Sequence, residues 1–337
     1  MEKISVYDAI GKVLCHDITQ IIPGQVKGRA FKKGHVIKKE DISVLLSLGK
    51  EHIFVWEDDD RFYHENEAAE ILSKYTAGKG LDFSEVKEGK INFVATCDGF
   101  IKVDVEALFK LNSIGEMALV TRHNNVFVRK GERVAGTRVI PLMIEKEKMS
   151  QVEAIAEPII WIEEAKALKV GVVTTGSEVY KGRIKDAFGP VIKRKFEAFG
   201  SEIIEQKIVD DKIEMITEAI QSFLKQKVDV IVCTGGMSVD PDDVTPTSIK
   251  QTGAEIIQYG SPVLPGSMFL VAYHKSTPIL GLPGCVMYSK QSVFDLMLPK
   301  ILTGEKITRD DINKLGHGGL CLNCETCVFP NCCFGKA

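Results

Sequence analysis

The sequence lacks a long apolar run, a leader-like start and a strong charge of either sign. Its apolar stretches stop after a handful of residues, as at Val230-Ile231-Val232-Cys233. That is far short of the roughly 20 residues that span a bilayer, so a membrane-spanning helix is excluded. The opening Met1-Glu2-Lys3-Ile4-Ser5 has no basic, apolar and small-residue series of the secretory kind. The expected compartment is therefore the cytoplasm, where thiols stay reduced. Lys and Arg number 43 against 46 Asp and Glu, a net charge of −3, so no basic domain suggests a nucleic-acid partner. Neither G-x-x-x-x-G-K-[ST] nor G-x-G-x-x-G occurs, which argues against a P-loop nucleotidase and a standard dinucleotide fold. No internal repeat or low-complexity stretch stands out.

What is present is ordinary globular composition, 337 residues with 45% apolar and 26% charged, enough for roughly two domains. The exception is cysteine. Of nine, Cys15, Cys97, Cys233 and Cys285 are scattered, whereas Cys321, Cys324, Cys327, Cys332 and Cys333 crowd the end.

Residues 1–150 read as a β-rich α+β region, divisible into lobes 1–78 and 90–145. Turn chemistry marks 21–31. Residues 41–48 read as a helix that Asp41 can cap and Gly49 stops. A strand is expected over 53–56 and a helix over 65–75, with strands throughout 91–143. Residues 145–164 are helix-compatible and interrupted by Pro158, and the domain boundary falls there. His52 and His64 flank Asp58, Asp59 and Asp60; a solvated loop suits them better than a metal site, because no ligand spacing recurs. Lys27, Arg29, Lys32, Lys33, Lys38 and Lys39 form a basic stretch, readable as a solvated hairpin face.

Residues 165–304 change character. Strands at 169–175, 203–209, 228–233, 268–273 and 278–280 alternate with helices at 186–199, 213–224 and 286–298. This alternation predicts an α/β fold, a three-layer αβα arrangement about a mostly parallel sheet. Ligands of such sheets sit beyond the carboxyl ends of the strands. Three glycine motifs fall at that edge: Thr174-Thr175-Gly176-Ser177-Glu178, Thr234-Gly235-Gly236-Met237-Ser238 with Asp240, Asp242 and Asp243 behind it, and Leu282-Pro283-Gly284-Cys285. Glycines let a backbone approach an anion closely, and carboxylates beside them suit Mg²⁺. Taken one at a time, the same glycines are equally consistent with tight turns.

In order, these motifs resemble the molybdopterin-binding domain of the molybdenum insertases (molybdopterin molybdenumtransferases, gephyrin-like proteins). Pro265-Gly266-Ser267 and the closing 298–304 fit the same series, and Tyr7-Asp8-Ala9-Ile10-Gly11 resembles the start of those insertases. The resemblance implies a transferase of molybdenum cofactor biosynthesis. It implies molybdopterin or its adenylate held by Thr175, Gly176, Ser177, Thr234, Gly235, Gly236, Ser238, Pro283, Gly284 and Cys285. Glu178 and Asp243 would hold Mg²⁺, and molybdate would be the metal delivered. It further implies a homo-oligomer in which the basic stretch meets cofactor phosphate across a dimer. Partners would be a molybdoenzyme or other cofactor-biosynthesis proteins. Two alternatives stay open: a non-catalytic carrier or chaperone of the cofactor, and an iron–sulfur redox or sensor protein that uses the pterin fold for docking. The chain departs from the family at Ser177, where Asp is frequent, at Asp240 in place of Gly, and at Cys285 in place of Asn.

Residues 305–337 read as an appended tail belonging to neither fold. Cys321-x2-Cys324-x2-Cys327, completed by Cys332 or by Cys333, can form a tetrathiolate for a [4Fe–4S] cluster or Zn²⁺. A reducible thiol cluster is the third reading.

Overall fold

The computed structural model describes residues 2–22, 26–55, 60–238 and 240–336. The chain divides into two compact units. The first comprises 1–97, 101–124 and 128–162; the second takes 98–100, 125–127 and 163–337. Among the described residues no helix is long and apolar enough to cross a membrane.

The main sheet of the first unit is antiparallel. Strands Leu81–Phe83, Lys90–Ala95, Arg133–Val139 and Met117–Thr121 form one sheet in that order. Helix Glu65–Thr76 buries Ala68, Ala69 and Leu72 in the same core as Ile91, Phe93 and Leu119. A smaller core gathers Val6, Leu14, Ile37, Leu45 and Ile53. Of the basic stretch, only Lys27 and Arg29 lie on the antiparallel pair Ile18–Ile22 with Val26–Phe31, and Arg29 pairs with Asp17 at 2.9 Å; the side chain of Lys27 and the whole of Asp58 and Asp59 lie outside the described residues.

Four local expectations need correction here. Asp41 does not cap helix Asp41–Ser47; Glu40 holds the cap position, and the Asp41 carboxylate accepts from Lys38 N and the His35 ring. His64 is not in a solvated loop. It is buried and opens helix Glu65–Thr76 as half of a capping box with Glu67. Within 91–143 a helix, Val105–Ser113, interrupts the strands, because Asp104 caps it by accepting from Ala107 N. Residues 145–164 are only half helical: Lys146–Glu153 is a helix, but Ile160–Glu163 is a strand whose residues alternate buried and half-buried.

The second unit is built on a six-stranded sheet. Its order is Glu202–Val209, Lys169–Thr175, Val230–Thr234, Thr277–Leu282, Leu270–His274, Glu255–Tyr259. The first four strands are mutually parallel and the last two pair antiparallel. Both faces are covered, which is why these strands read as unbroken apolar runs. Successive residues serve opposite faces. Val170, Val172, Val230, Val232 and Leu280 pack with Phe196, Phe294 and Leu298, whereas Val173, Ile231, Cys233 and Ile279 pack with Ile216, Ile220 and Phe223. Gly171 sits beneath Phe223, and a Cβ there would lie 2.6 Å from the ring. Three rings from distant sequence meet in this unit: Phe100, Phe127 and Phe199, with centroids 5.2 to 5.4 Å apart.

Two differences from expectation bear on the site. Residues 286–298 are not one helix. A short turn, Gly284–Met287, is followed by a separate helix, Val293–Thr303, opened by a capping box of Ser292 and Asp295. Residues 305–337 are not apart from the fold either: Ile307, Ile312 and Phe334 are buried in the same core as the sheet.

Candidate functional site

The three glycine loops follow the parallel strands Lys169–Thr175, Val230–Thr234 and Thr277–Leu282, so they open on one edge of the sheet. The first two touch each other, and the second reaches the strand that leads into the third. The Cα of Gly235 faces the end of the neighbouring strand, where a Cβ would stand 2.3 Å from the Thr175 carbonyl oxygen. A Cβ on Gly236 would stand 2.7 Å from the Thr245 hydroxyl. Met237 in turn lies against Gly281, at 2.5 Å from where that residue's Cβ would be. Gly235 and Gly236 both have positive φ, +85° and +57°, a region that only glycine enters without cost.

Gly176 and Gly284 are different. Nothing lies nearer than 3.8 Å to a Cβ built on Gly176, and nothing within 4 Å of one on Gly284. Two glycines of the three loops are thus required by packing, and two leave open space for a close backbone approach. The expected ligand set divides in the same way. Thr175 and Thr234 are buried, and their hydroxyls are used inside: Thr234 Oγ1 donates to Thr174 Oγ1 at 3.3 Å, and Thr175 Oγ1 is 3.4 Å from Thr245 Oγ1. Both side chains are thus engaged within the protein. Ser238 and Gly284 are exposed, Cys285 is half-buried and Pro283 is buried beneath it. Burial pushes the Cys285 thiol up, which disfavours thiolate there.

Ser177 is also engaged by the protein. Its N–H donates to Asp211 at 2.7 Å and its hydroxyl to Asp210 at 2.6 Å. That hydroxyl holds the Asp210 carboxyl below its ordinary range. Two carboxylates thus reach Ser177 from the end of strand Glu202–Val209. Reading motifs alone misses them, although an Asp-Asp pair directly behind a strand of this sheet marks the same edge. We expect Ser177→Ala to return the Asp210 pKa toward the usual carboxylate value, as ¹³C NMR of the side chain would show. A depressed folded-state pKa stabilises above the unfolded value and is lost as pH falls through the folded one. The stability gap between wild type and Ser177→Ala should therefore be widest near neutrality and narrow in acid; a gap independent of pH would remove this bond from the account.

Asp243 acts first as a loop clamp. Its Oδ2 accepts from Ser238 N at 3.0 Å and Asp240 N at 3.3 Å. It does not cap the following helix, Thr245–Gln251, whose cap position is Val244. Tyr259, another residue no motif reveals, donates its hydroxyl to the Met237 carbonyl at 2.8 Å. Burial and the Asp243 charge both push its phenol up. Glu178 is exposed on the short turn Ser177–Tyr180. Among the described residues no three His, Cys, Asp or Glu side chains stand together to hold a metal ion. A two-carboxylate Mg²⁺ site completed by phosphate oxygens is a different arrangement, with fewer protein ligands.

A family model described as a probable molybdopterin binding domain matches residues 171–303, and one described as a domain of unknown function matches residues 3–57. Over 295 residues the chain is 23% identical to a molybdopterin molybdenumtransferase of Staphylococcus epidermidis, with 83% of this chain and 66% of that one covered. Over 135 residues it is 31% identical to a molybdopterin molybdenumtransferase of Staphylococcus aureus, covering 36% and 31%. Over 98 residues it is 32% identical to a molybdopterin adenylyltransferase of Pyrococcus furiosus, covering 29% and 57%. The chain thus spans two thirds or less of the length of each of these relatives. Residues 171–303 belong to the molybdopterin-binding domain family, and the chain is a distant homologue of the molybdopterin molybdenumtransferases.

Proposed function

We propose that the loop edge of the second unit binds molybdopterin or its adenylate and that the protein acts in molybdenum cofactor biosynthesis, as a molybdenumtransferase-like enzyme. The observation that carries this reading is the convergence of three glycine loops on one sheet edge, two of their glycines with open space above the backbone. Backbone N–H groups at Gly176 and Gly284 and the Ser238 hydroxyl are the donors for phosphate oxygens. Glu178 and Asp243 are the carboxylates for Mg²⁺, which would polarise the phosphoanhydride of an adenylate for cleavage. Molybdate would be the substrate placed on the dithiolene. Ser177, already bonded to Asp210 and Asp211, fixes the first loop and leaves phosphate contact to its neighbours.

Titration calorimetry with molybdopterin, and with its adenylate, tests the binding. Absence of heat with both would overturn it. Turnover is tested separately with Asp243→Asn. The amide oxygen can still accept from Ser238 N and Asp240 N, so the loop stays closed while the negative charge is lost. We expect binding within a few-fold of wild type and Mg²⁺-dependent adenylate hydrolysis reduced about 10²-fold or more. Unchanged hydrolysis would free Asp243 from any metal role. Adenylate bound but never cleaved, by the wild type with molybdate present, would identify the carrier instead.

A further inference from the structure

The five terminal cysteines take no part in the glycine loops, yet the fold holds them in one place. The segment that bears them is pinned at both ends. At its start Leu264 N donates to the Gly319 carbonyl and Cys321 N to the Leu264 carbonyl, each at 2.8 Å. At its end Phe334 is buried in the core, and Gly335 N donates to the Gly318 carbonyl at 2.9 Å. Between these pins no helix or strand forms. All five thiols are free of disulfides and line one cavity of about 360 Å³. Its far wall is 288–291, the stretch directly after the turn that carries Cys285. Lys290 reaches across and donates to the Cys324 and Glu325 carbonyls.

We propose that this cavity holds a [4Fe–4S] cluster ligated by Cys321, Cys324, Cys327 and Cys332. Sulfur is the strongest metal-ligand chemistry its cysteine-rich wall supplies, with no histidine and no carboxylate in it. A tetrahedral zinc site, with Zn–S near 2.3 Å, gathers four sulfurs to within about 3.8 Å of one another. Here the five cysteines line a cavity of about 360 Å³ and, among the described residues, no three of them stand together around a single-ion position, which suits a cluster several ångströms across better than one zinc ion. The two-residue gaps from Cys321 to Cys327 match those of cluster-binding runs. Cys332 is the fourth ligand because it is half-buried and packs against the core beside Phe334, whereas Cys333 is exposed. Four thiolates on a cluster core of charge +2 leave a net charge of −2, half of which the Lys290 ammonium at the rim offsets. Ligation releases the four thiol protons.

The test uses the full chain purified without oxygen, or reconstituted with iron and sulfide under argon, and reads metal content rather than pterin chemistry. Expected are four iron and four acid-labile sulfide per chain and an absorption band at about 400 nm that dithionite bleaches. Cys324→Ser with Cys327→Ser should lose the iron; both side chains are exposed, so circular dichroism should stay unchanged. Cys333→Ser should keep the cluster and Cys332→Ser should not. A colourless protein with one zinc per chain, a chain that takes up no metal, or iron retained in the Cys324/Cys327 double variant would overturn the proposal. Loss in Cys333→Ser with retention in Cys332→Ser would overturn the ligand assignment.

Discussion

Replacing Gly235 by alanine should lower stability by about 2–4 kcal/mol and abolish pterin binding in the protein that remains folded. Two costs add. The backbone at φ +85° is strained for any residue with a Cβ, and that Cβ would lie 2.3 Å from the Thr175 carbonyl oxygen and 2.8 Å from its hydroxyl. Neither neighbour can retreat easily. Thr175 is in a parallel strand paired on both sides, and its hydroxyl faces Thr245, which itself donates to the Gly235 carbonyl at 2.9 Å. The strain must be relieved by moving the loop that carries Met237 and Ser238. Gly284→Ala makes the same chemical change where nothing lies within 4 Å, so it should leave stability within about 0.5 kcal/mol of wild type. Urea unfolding with the slope held constant measures both. A Gly235→Ala protein with wild-type midpoint and wild-type calorimetric affinity would refute the packing argument.

The largest stability loss should come from Asp295→Ala, about 3–5 kcal/mol. Asp295 forms an ion pair with Lys195, and the two side chains are only 9% and 13% exposed. The same carboxylate accepts from Ser292 N at 2.8 Å and from its hydroxyl at 3.2 Å, closing the capping box of helix Val293–Thr303. Truncation strands a nearly buried ammonium and opens a helix end together. Asp295→Asn separates the two effects, because the amide oxygen still serves the cap. Adding Lys195→Met to Asp295→Asn should then recover most of what the single change loses. Thermal and urea midpoints of wild type, Asp295→Asn, Lys195→Met and the double variant make the cycle. If Asp295→Ala costs under about 1 kcal/mol, solvent reaches the pair and its burial is immaterial.

How far the molecule could be read from its residues varied with the physics involved. The parallel strands were legible because a sheet covered on both faces needs continuous apolar runs, and Val170–Val173 and Val230–Cys233 supply them. The helix Ile213–Lys225 was legible for the same kind of reason, since Ile216, Ala219, Ile220 and Phe223 recur at helical spacing and are all buried. The glycine loops were legible as a site, but their roles were not. Whether a glycine is there for a ligand or for a neighbouring carbonyl depends on what stands opposite its Cα, and Thr175 and Gly235 are 60 positions apart in the chain. Asp210 and Asp211 were missed for a related reason, since their value lies in reaching Ser177 across two adjacent strands. The break at 288–292 was missed because apolar residues continue on either side of it, while Ser292 and Asp295 start a new helix between them. The cysteine run stood out by composition, but nothing in its spacing told that Phe334 would anchor it in a core.

The ring cluster of Phe100, Phe127 and Phe199 has a practical side for anyone cutting the gene. The second unit borrows 98–100 and 125–127 from stretches otherwise occupied by the first. A clone that starts at residue 163 would carry every glycine loop and all the terminal thiols, yet would leave behind two of the three rings that pack together. Phe199 would then face water with its partners on discarded DNA. The module that binds and the segment that can be excised are different things in this protein, because its modularity is spatial rather than linear.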